Sequence, residues 1–256
     1  MKNVELTLEE KRCVYLRLLK ELDRYCTEHH LRYYMGCGTL IGAVRHKGFI
    51  PWDDDLDVFM PQPDFDILEQ NYSSDHFELR TCQKHKDHPY TFARLTDLST
   101  FSVLGKFISA GLGIDIYIIY GAPSDRTEQI KHMSKVLKYI HRKKNLLKLR
   151  NGLVKKNLWV SKSLDFPLMN KTLLYATKEL RKYSFDDCNS IWPYGGGRLN
   201  LRKELYGNPV RLQFEDGMFY APECYDEVLK AAYGDYMQLP PEDKRHPYHG
   251  GHYYWK

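Results

Sequence analysis

No apolar run in this chain approaches the roughly 18 to 20 residues that a membrane-spanning helix needs. The opening stretch, MKNVELTLEEKR, lacks an apolar core, so no secretory signal is expected. The six cysteines (Cys13, Cys26, Cys37, Cys82, Cys188 and Cys224) include no Cys-x-x-Cys pair. That disfavours a zinc site or a disulfide framework and points to a reducing, cytoplasmic setting. There is no internal repeat and no low-complexity tract. The basic region also lacks the interleaved aromatics that stack single-stranded bases, so no nucleic acid is expected as a partner.

What is present is an ordinary core and an uneven charge. Apolar residues make up 43 % of 256, enough for one large domain, or for a smaller domain with a helical extension. The net charge is +5, yet residues 121 to 182 carry sixteen Lys/Arg against only Asp125, Glu128, Asp165 and Glu179. An acidic part and a basic part therefore share the chain.

Pattern along the chain predicts an α+β fold. Residues 7 to 29 read as a helix, with Thr7 and Glu10 as a capping box and Val14, Leu18, Leu22 and Tyr25 on one face. LRYYMGCG reads as a strand ending in a glycine turn. A short helix over 39 to 45 follows, its N-terminus freed by Gly38. Residues 55 to 60 enter a strand, 63 to 70 a helix, and YTFARL and IDIYIIYG are further strands. After Pro123 the period becomes helical. Ile130, Met133, Leu137, Ile140 and Leu147 trace one face, and Asn151-Gly152 is the expected stop. Residues 167 to 183 form another helix. RLQFEDGMFY signals a hairpin turning at Asp-Gly. Pro222 opens a short helix closed by Gly234, and the last 17 residues read as irregular. The expected divisions are 1–123 as catalytic core, 124–190 as basic helical segment, and 191–256 as hairpin, short helix and tail packing back on the core.

The stretch GTLIGAVRHKGFIPWDDDLDVFMP holds the chemistry. In an extended chain Asp53, Asp55 and Asp57 share one face, while Leu56 and Val58 enter the core from the other, which Asp54 shares. Three adjacent carboxylates repel one another unless a hard divalent cation, which takes oxygen ligands, gathers them. An EF-hand is excluded, because Val58 and Asp64 stand where its glycine and glutamate belong. Gly38-Thr39 before a short helix offers free N–H groups to an anion, with Arg45, His46 and Lys47 adding charge nearby. Asp115, one acid within a run of β-formers, is the natural further carboxylate.

Gly-Thr, a short helix, then Asp-x-Asp on a strand resembles the nucleotidyltransferase superfamily. The long signature is similar to that of the LicD family of phosphocholine transferases, which fukutin-related proteins resemble. The likeness continues in FARLTD, GIDIYIIYGAP and FEDGMFYAPECYDEVLKAAYGDYMQLPPEDKRHP. Gln62 departs from it, since the family often places an arginine there. The resemblance implies a nucleotidyltransferase-like mixed β-sheet flanked by helices, with the basic middle segment as an addition. It implies transfer of a phospho-alcohol group, phosphocholine by default, from a CDP-activated donor to a hydroxyl of a cell-surface glycan, with CMP leaving. Ribitol, glycerol or ethanolamine phosphate are the alternative cargoes. Asp55, Asp57 and Asp115 would hold magnesium, or manganese in its place. Asp53 would be a further ligand or the base. Gly38, Thr39, Arg45, His46 and Lys47 would bind the donor's phosphates, and Arg94 would pair with one.

A quaternary ammonium would want an aromatic cage, for which Trp52, Tyr248, Tyr253, Tyr254 and Trp255 are available. Two other readings compete: a nucleotide-adding polymerase, and a nucleotide-binding pseudoenzyme, which the intact aspartate set disfavours. The basic helix, with Lys131, Lys135, Lys138, Arg142, Lys143, Lys144 and Lys148, is either a solvated face or a peripheral contact with an anionic membrane. In the second case the glycan acceptor would be lipid-linked.

Overall fold

The computed structural model describes residues 4–104, 107–155, 161–193, 200–247 and 250–256. The chain divides into two compact units. One comprises Met1–Leu79, Arg94–Tyr117 and Glu204–Lys256; the other comprises Arg80–Ala93 and Ile118–Lys203.

The first unit begins with helix α1 (Leu8–Glu28). Its start is fixed as the sequence predicts. Thr7 Oγ1 accepts the Glu10 N–H, and the Glu10 carboxylate accepts the Thr7 N–H at 2.8 Å. Such a cap contributes about 1 kcal/mol. Val14, Leu18 and Leu22 are buried on its inner face, each contributing roughly 1.5 to 3 kcal/mol.

Strand β1 (Tyr34–Met35) pairs antiparallel with β2 (Asp57–Pro61), and helix α2 (Cys37–Arg45) lies between them in sequence. Helix α3 (Gln62–Asn71) leaves β2 directly through Pro61, and Gln62 donates to Asp66 at 2.7 Å. The sheet continues with β3 (Phe77–Arg80), β4 (Ala93–Asp97) and β7 (Gly113–Ala122), in the order β1-β2-β7-β4-β3. Strand β2 is buried throughout, which matches its unbroken apolar run after Asp57.

A second sheet joins β5 (Thr100–Leu104), β6 (Phe107–Ser109) and β12 (Tyr253–Trp255) in the order β12-β5-β6. The C-terminal stretch is therefore not irregular throughout. Its Tyr254 stacks on Phe101, and Trp255 Nε1 donates to Glu10 at 3.2 Å. The hairpin β10 (Val210–Phe214) and β11 (Gly217–Ala221) forms as predicted, but turns one residue earlier. Phe214 pairs with Gly217, so Glu215-Asp216 are the two turn residues, and Glu215 takes φ 53°. Helix α6 (Tyr225–Tyr233) starts three residues after Pro222 and ends at Gly234 with φ 70°.

In the second unit, helix α4 (Arg126–Lys155) packs along α5 (Ser161–Leu180). Helix α4 runs through Asn151-Gly152 rather than stopping there. Its buried stripe is Gln129, His132, Met133 and Val136, while Ile130 is 56 % exposed. The apolar spacing thus located a helix but rotated its inner face, because two polar residues are buried with their hydrogen bonds made. Gln129 Nε2 donates to Pro123 O at 2.8 Å, and His132 Nε2 lies 2.8 Å from Glu179 O. The far end of β7 pairs with β8 (Ser190–Trp192), and β8 pairs with β9 (Leu201–Arg202).

Candidate active site

All four predicted carboxylates lie in the first unit. Strand β2 begins only at Asp57, so Asp53 to Leu56 form a loop leading into it rather than part of the strand. That loop is nonetheless firmly held. Arg12 donates to Ile50 O at 3.1 Å and Pro51 O at 2.9 Å, and the Asp53 N–H closes a turn on Ile50 O at 3.0 Å. Asp54 turns away: its carbonyl accepts from Tyr15 Oη at 2.9 Å and its carboxylate accepts from the Gly250 N–H at 3.0 Å. Leu56 and Val58 are fully buried, as alternation required.

Helix α2 grips the start of β2. The Gly36 N–H donates to Asp57 O at 3.0 Å, and the Asp57 N–H donates to Thr39 Oγ1 at 2.9 Å. Helix α2 starts at Cys37, capped by Gly36, so Gly38 sits within its first turn rather than ahead of it. Gly38 is glycine for a steric reason. A Cβ there would stand 2.2 Å from Asp53 Oδ2, so the Asp53 carboxylate lies directly against the helix.

Asp115 enters from β7, where Ile114, Ile116 and Ile118 are buried on one face and Asp115 and Tyr117 share the other. The Asp115 N–H donates to Leu56 O at 3.0 Å, which sets this residue beside the aspartate loop. Arg94 of β4 donates from Nε to Asp115 Oδ1 at 2.5 Å.

The electrostatics show how close the acids are. Burial, then the charge of Asp55 and a hydrogen bond to it, push the Asp53 carboxyl up to about 7. Burial first, then the charges of Asp55 and Asp115, raise Asp57 well above the carboxylate range. Asp57 is 6 % exposed, and its Oδ1 has no hydrogen-bond partner among the described residues. A buried carboxylate oxygen with no partner among the described residues, next to further acids, is a donor that a hard cation could use. Among the described residues no three His, Cys, Asp or Glu side chains already stand in a metal-binding arrangement. The oxygen donor set fits Mg²⁺ or Mn²⁺, and its ligands must close around the ion.

Arg45, at the end of α2, donates from Nη1 to Tyr236 O at 2.7 Å, and burial lowers its pKa. His46 meets the edge of Trp52 with centroids 6.4 Å apart, and burial followed by the Arg45 charge lowers its pKa. The Arg245 guanidinium lies 5.6 Å from the Trp52 ring centroid. Lys47 is exposed in left-handed backbone (φ 61°), and its carbonyl accepts the Glu215 N–H. At Trp52 the chain therefore gathers one cation, Arg245, and the imidazole of His46, whose Nε2 accepts a hydrogen bond from Arg45 Nε at 3.0 Å. The other residues considered for an ammonium cage are engaged as well, with Lys11 5.8 Å from the Tyr253 ring centroid. Tyr248 lies outside the described residues.

Residues 30–151 match a family model described as LicD/FKTN/FKRP, nucleotidyltransferase domain. Over 259 aligned residues the chain is 31 % identical to the lipopolysaccharide cholinephosphotransferase LicD of Haemophilus influenzae, covering 96 % of this chain and 97 % of that one. The chain belongs to the LicD family. A shorter segment of 54 residues is 43 % identical to an uncharacterized protein of Rickettsia prowazekii, 21 % of this chain and 20 % of that one.

Within this LicD-family site, three neighbours of the acids escaped sequence reasoning. Cys37 hydrogen-bonds the Asp57 side chain. Tyr117 is driven upward by burial and then by Asp57 and Asp115. Tyr15 is driven upward by burial, with Asp55 and Asp115 acting on it as well. Tyr117 was available from strand alternation, two residues after Asp115. Tyr15 carries no local signal, because only the fold brings α1 to the loop.

Proposed function

We propose that this protein transfers phosphocholine from CDP-choline to a hydroxyl of a lipopolysaccharide-type glycan, releasing CMP. The relative's function as a lipopolysaccharide cholinephosphotransferase supports the reaction class. The observation that carries the site is the buried, unpartnered Asp57 Oδ1 beside Asp53, Asp55 and Asp115.

Asp55, Asp57 and Asp115 would hold Mg²⁺, which supplies charge neutralisation to the donor's phosphates. The protein's own residues do the rest. Asp53, whose carboxylate lies against the first turn of α2, would accept the proton of the acceptor hydroxyl. The acceptor oxygen then bonds to the phosphorus bearing choline, the bridging P–O bond breaks, and CMP carries away that electron pair. Arg94 fixes Asp115 and presents positive charge beside the acids. Thr39 holds the Asp57 backbone, and the guanidinium groups of Arg45 at the end of α2 and of Arg245 beside Trp52 supply positive charge suited to the donor's second phosphate.

The basic face of α4 would place the enzyme against an anionic membrane carrying a lipid-linked acceptor. Lys131, Lys135, Lys138 and Arg142 are solvent-exposed, and each lysine near such a surface contributes about 1 kcal/mol. Lys143 is turned elsewhere, 5.0 Å from the Tyr90 ring centroid, with burial lowering its pKa. Among the described residues no helix is long and apolar enough to cross a membrane, so contact of this helix with a bilayer would be peripheral.

Incubation with CDP-choline, CDP-ribitol, CDP-glycerol and CDP-ethanolamine in Mg²⁺, followed for CMP release with and without glycan, tests the reading. Fastest release from CDP-choline supports it. Release from none of the four overturns it.

A further inference from the structure

Cys37 stands at a strained and crowded place. It takes φ 47°, a left-handed conformation that costs a residue with a Cβ of order 1 to 3 kcal/mol. Both flanking positions are glycine, and each faces a side chain that a Cβ would displace. A Cβ on Gly36 would come within 2.0 Å of the Phe59 ring, and one on Gly38 within 2.2 Å of Asp53 Oδ2. Residue 37 is thus the one position in Gly36-Cys37-Gly38 that carries a side chain, and that side chain reaches Asp57. The backbone of Asp57 is fixed from the same turn, through the Gly36 N–H and Thr39 Oγ1. What remains free is rotation of its carboxylate. A thiol bond on that carboxylate, with Oδ1 left unpartnered and buried, sets the orientation.

We propose that Cys37 is a positioning residue for the metal site: its thiol orients the Asp57 carboxylate so that Oδ1 stays open for the divalent cation. The strain at φ 47° persists because the thiol is needed there. The inference rests on the reading of the carboxylates as a metal site. It adds a liability as well. Cys37 is partly exposed, so a soluble thiol reagent can reach it. With iodoacetamide the sulfur displaces iodide, forming an S–C bond and releasing iodide and a proton. The thioether formed has no hydrogen to donate to Asp57.

The test measures Mn²⁺ binding by electron paramagnetic resonance on wild type, Cys37→Ser, Cys37→Ala and Cys37→Gly, with melting temperature alongside. Partners of metal ligands typically change affinity about 10- to 100-fold, so Cys37→Ala should bind at least about tenfold more weakly, and Cys37→Ser, which keeps a donor, within about threefold of wild type. Cys37→Gly should relieve the backbone strain and raise the melting temperature while still weakening Mn²⁺ binding. A merely structural role would not separate these two readouts. Iodoacetamide labelling of Cys37, followed by peptide mass spectrometry, should slow when Mn²⁺ is bound, and prior labelling should weaken Mn²⁺ binding in wild type but not in Cys37→Ser. If Cys37→Ala binds Mn²⁺ as tightly as wild type, the positioning role is overturned while the metal site stands. If wild type binds no Mn²⁺, the metal site itself is overturned, and this inference with it.

Discussion

Gly38 and Asp53 compete for one space: a Cβ on the glycine would stand 2.2 Å from Asp53 Oδ2. The obstacle is the tip of a side chain, so the fold can yield without losing core contacts. Gly38→Ala should leave the melting temperature close to wild type, since alanine also favours the helix by up to about 1 kcal/mol. Turnover should fall about 100-fold, the scale of a misplacement near 1 Å. Circular dichroism melting and CMP release on the same preparation check both halves.

Thr39 acts on Asp57 through its backbone. Thr39→Val removes the acceptor of a buried N–H and should cost about 1 to 3 kcal/mol of stability, the scale of an unsatisfied buried donor. Thr39→Ser keeps the oxygen and should cost less than half as much. Urea denaturation of the pair measures the difference. Equal losses would contradict this, because valine keeps the methyl and loses only the hydrogen-bond acceptor, whereas serine keeps the acceptor and loses only the methyl.

Asp53 should make the metal-free protein pH-sensitive. Its folded carboxyl is raised from 3.8 to about 7, so the protonated form is favoured on folding. That contribution is complete below about pH 4 and is lost as pH rises through 7. In EDTA, wild type should therefore lose stability across this window relative to Asp53→Asn, which has no proton to release. Thermal melts of both proteins from pH 4 to 8 test the sign. Parallel curves would mean that Asp53 ionises freely.

The basic face of α4 gives a prediction in salt. Co-sedimentation with anionic liposomes should be strong at low ionic strength and lost near 0.5 M, where screening is effective over a few ångströms. Changing Lys135, Lys138 and Arg142 to Glu should weaken it at every salt concentration. Equal recovery with neutral and anionic vesicles would leave the face as a solvated one.

Local signals made much of the first unit legible. Thr7 and Glu10 fixed the start of α1 because a capping box depends on two residues three apart. The spacing from Gly38 to Asp57 located the acids, and the apolar run around Asp115 located β7. Less of the contact pattern could be read, because it is made over long distances. Arg45 donates to the carbonyl of Tyr236, nearly two hundred residues away, and nothing beside Arg45 in sequence announces this. The C-terminal residues read as irregular, yet Tyr253 to Trp255 pair with β5, a partner more than a hundred residues earlier. On α4 the apolar pattern misplaced the buried face because Gln129 and His132 are buried with hydrogen-bond partners that lie outside the helix's own periodicity.

The central claim is that Asp57, with Asp55 and Asp115, holds a divalent cation for phosphocholine transfer. Asp57→Asn tests it most directly, because amide and carboxyl have nearly the same shape and Oδ1 has no partner to lose among the described residues. CMP release from CDP-choline in Mg²⁺ should fall to background in the variant, with the melting temperature in EDTA unchanged or raised. The same loss should appear in wild type when EDTA exceeds Mg²⁺. Wild-type CMP release by Asp57→Asn, or by wild type in excess EDTA, would contradict the account.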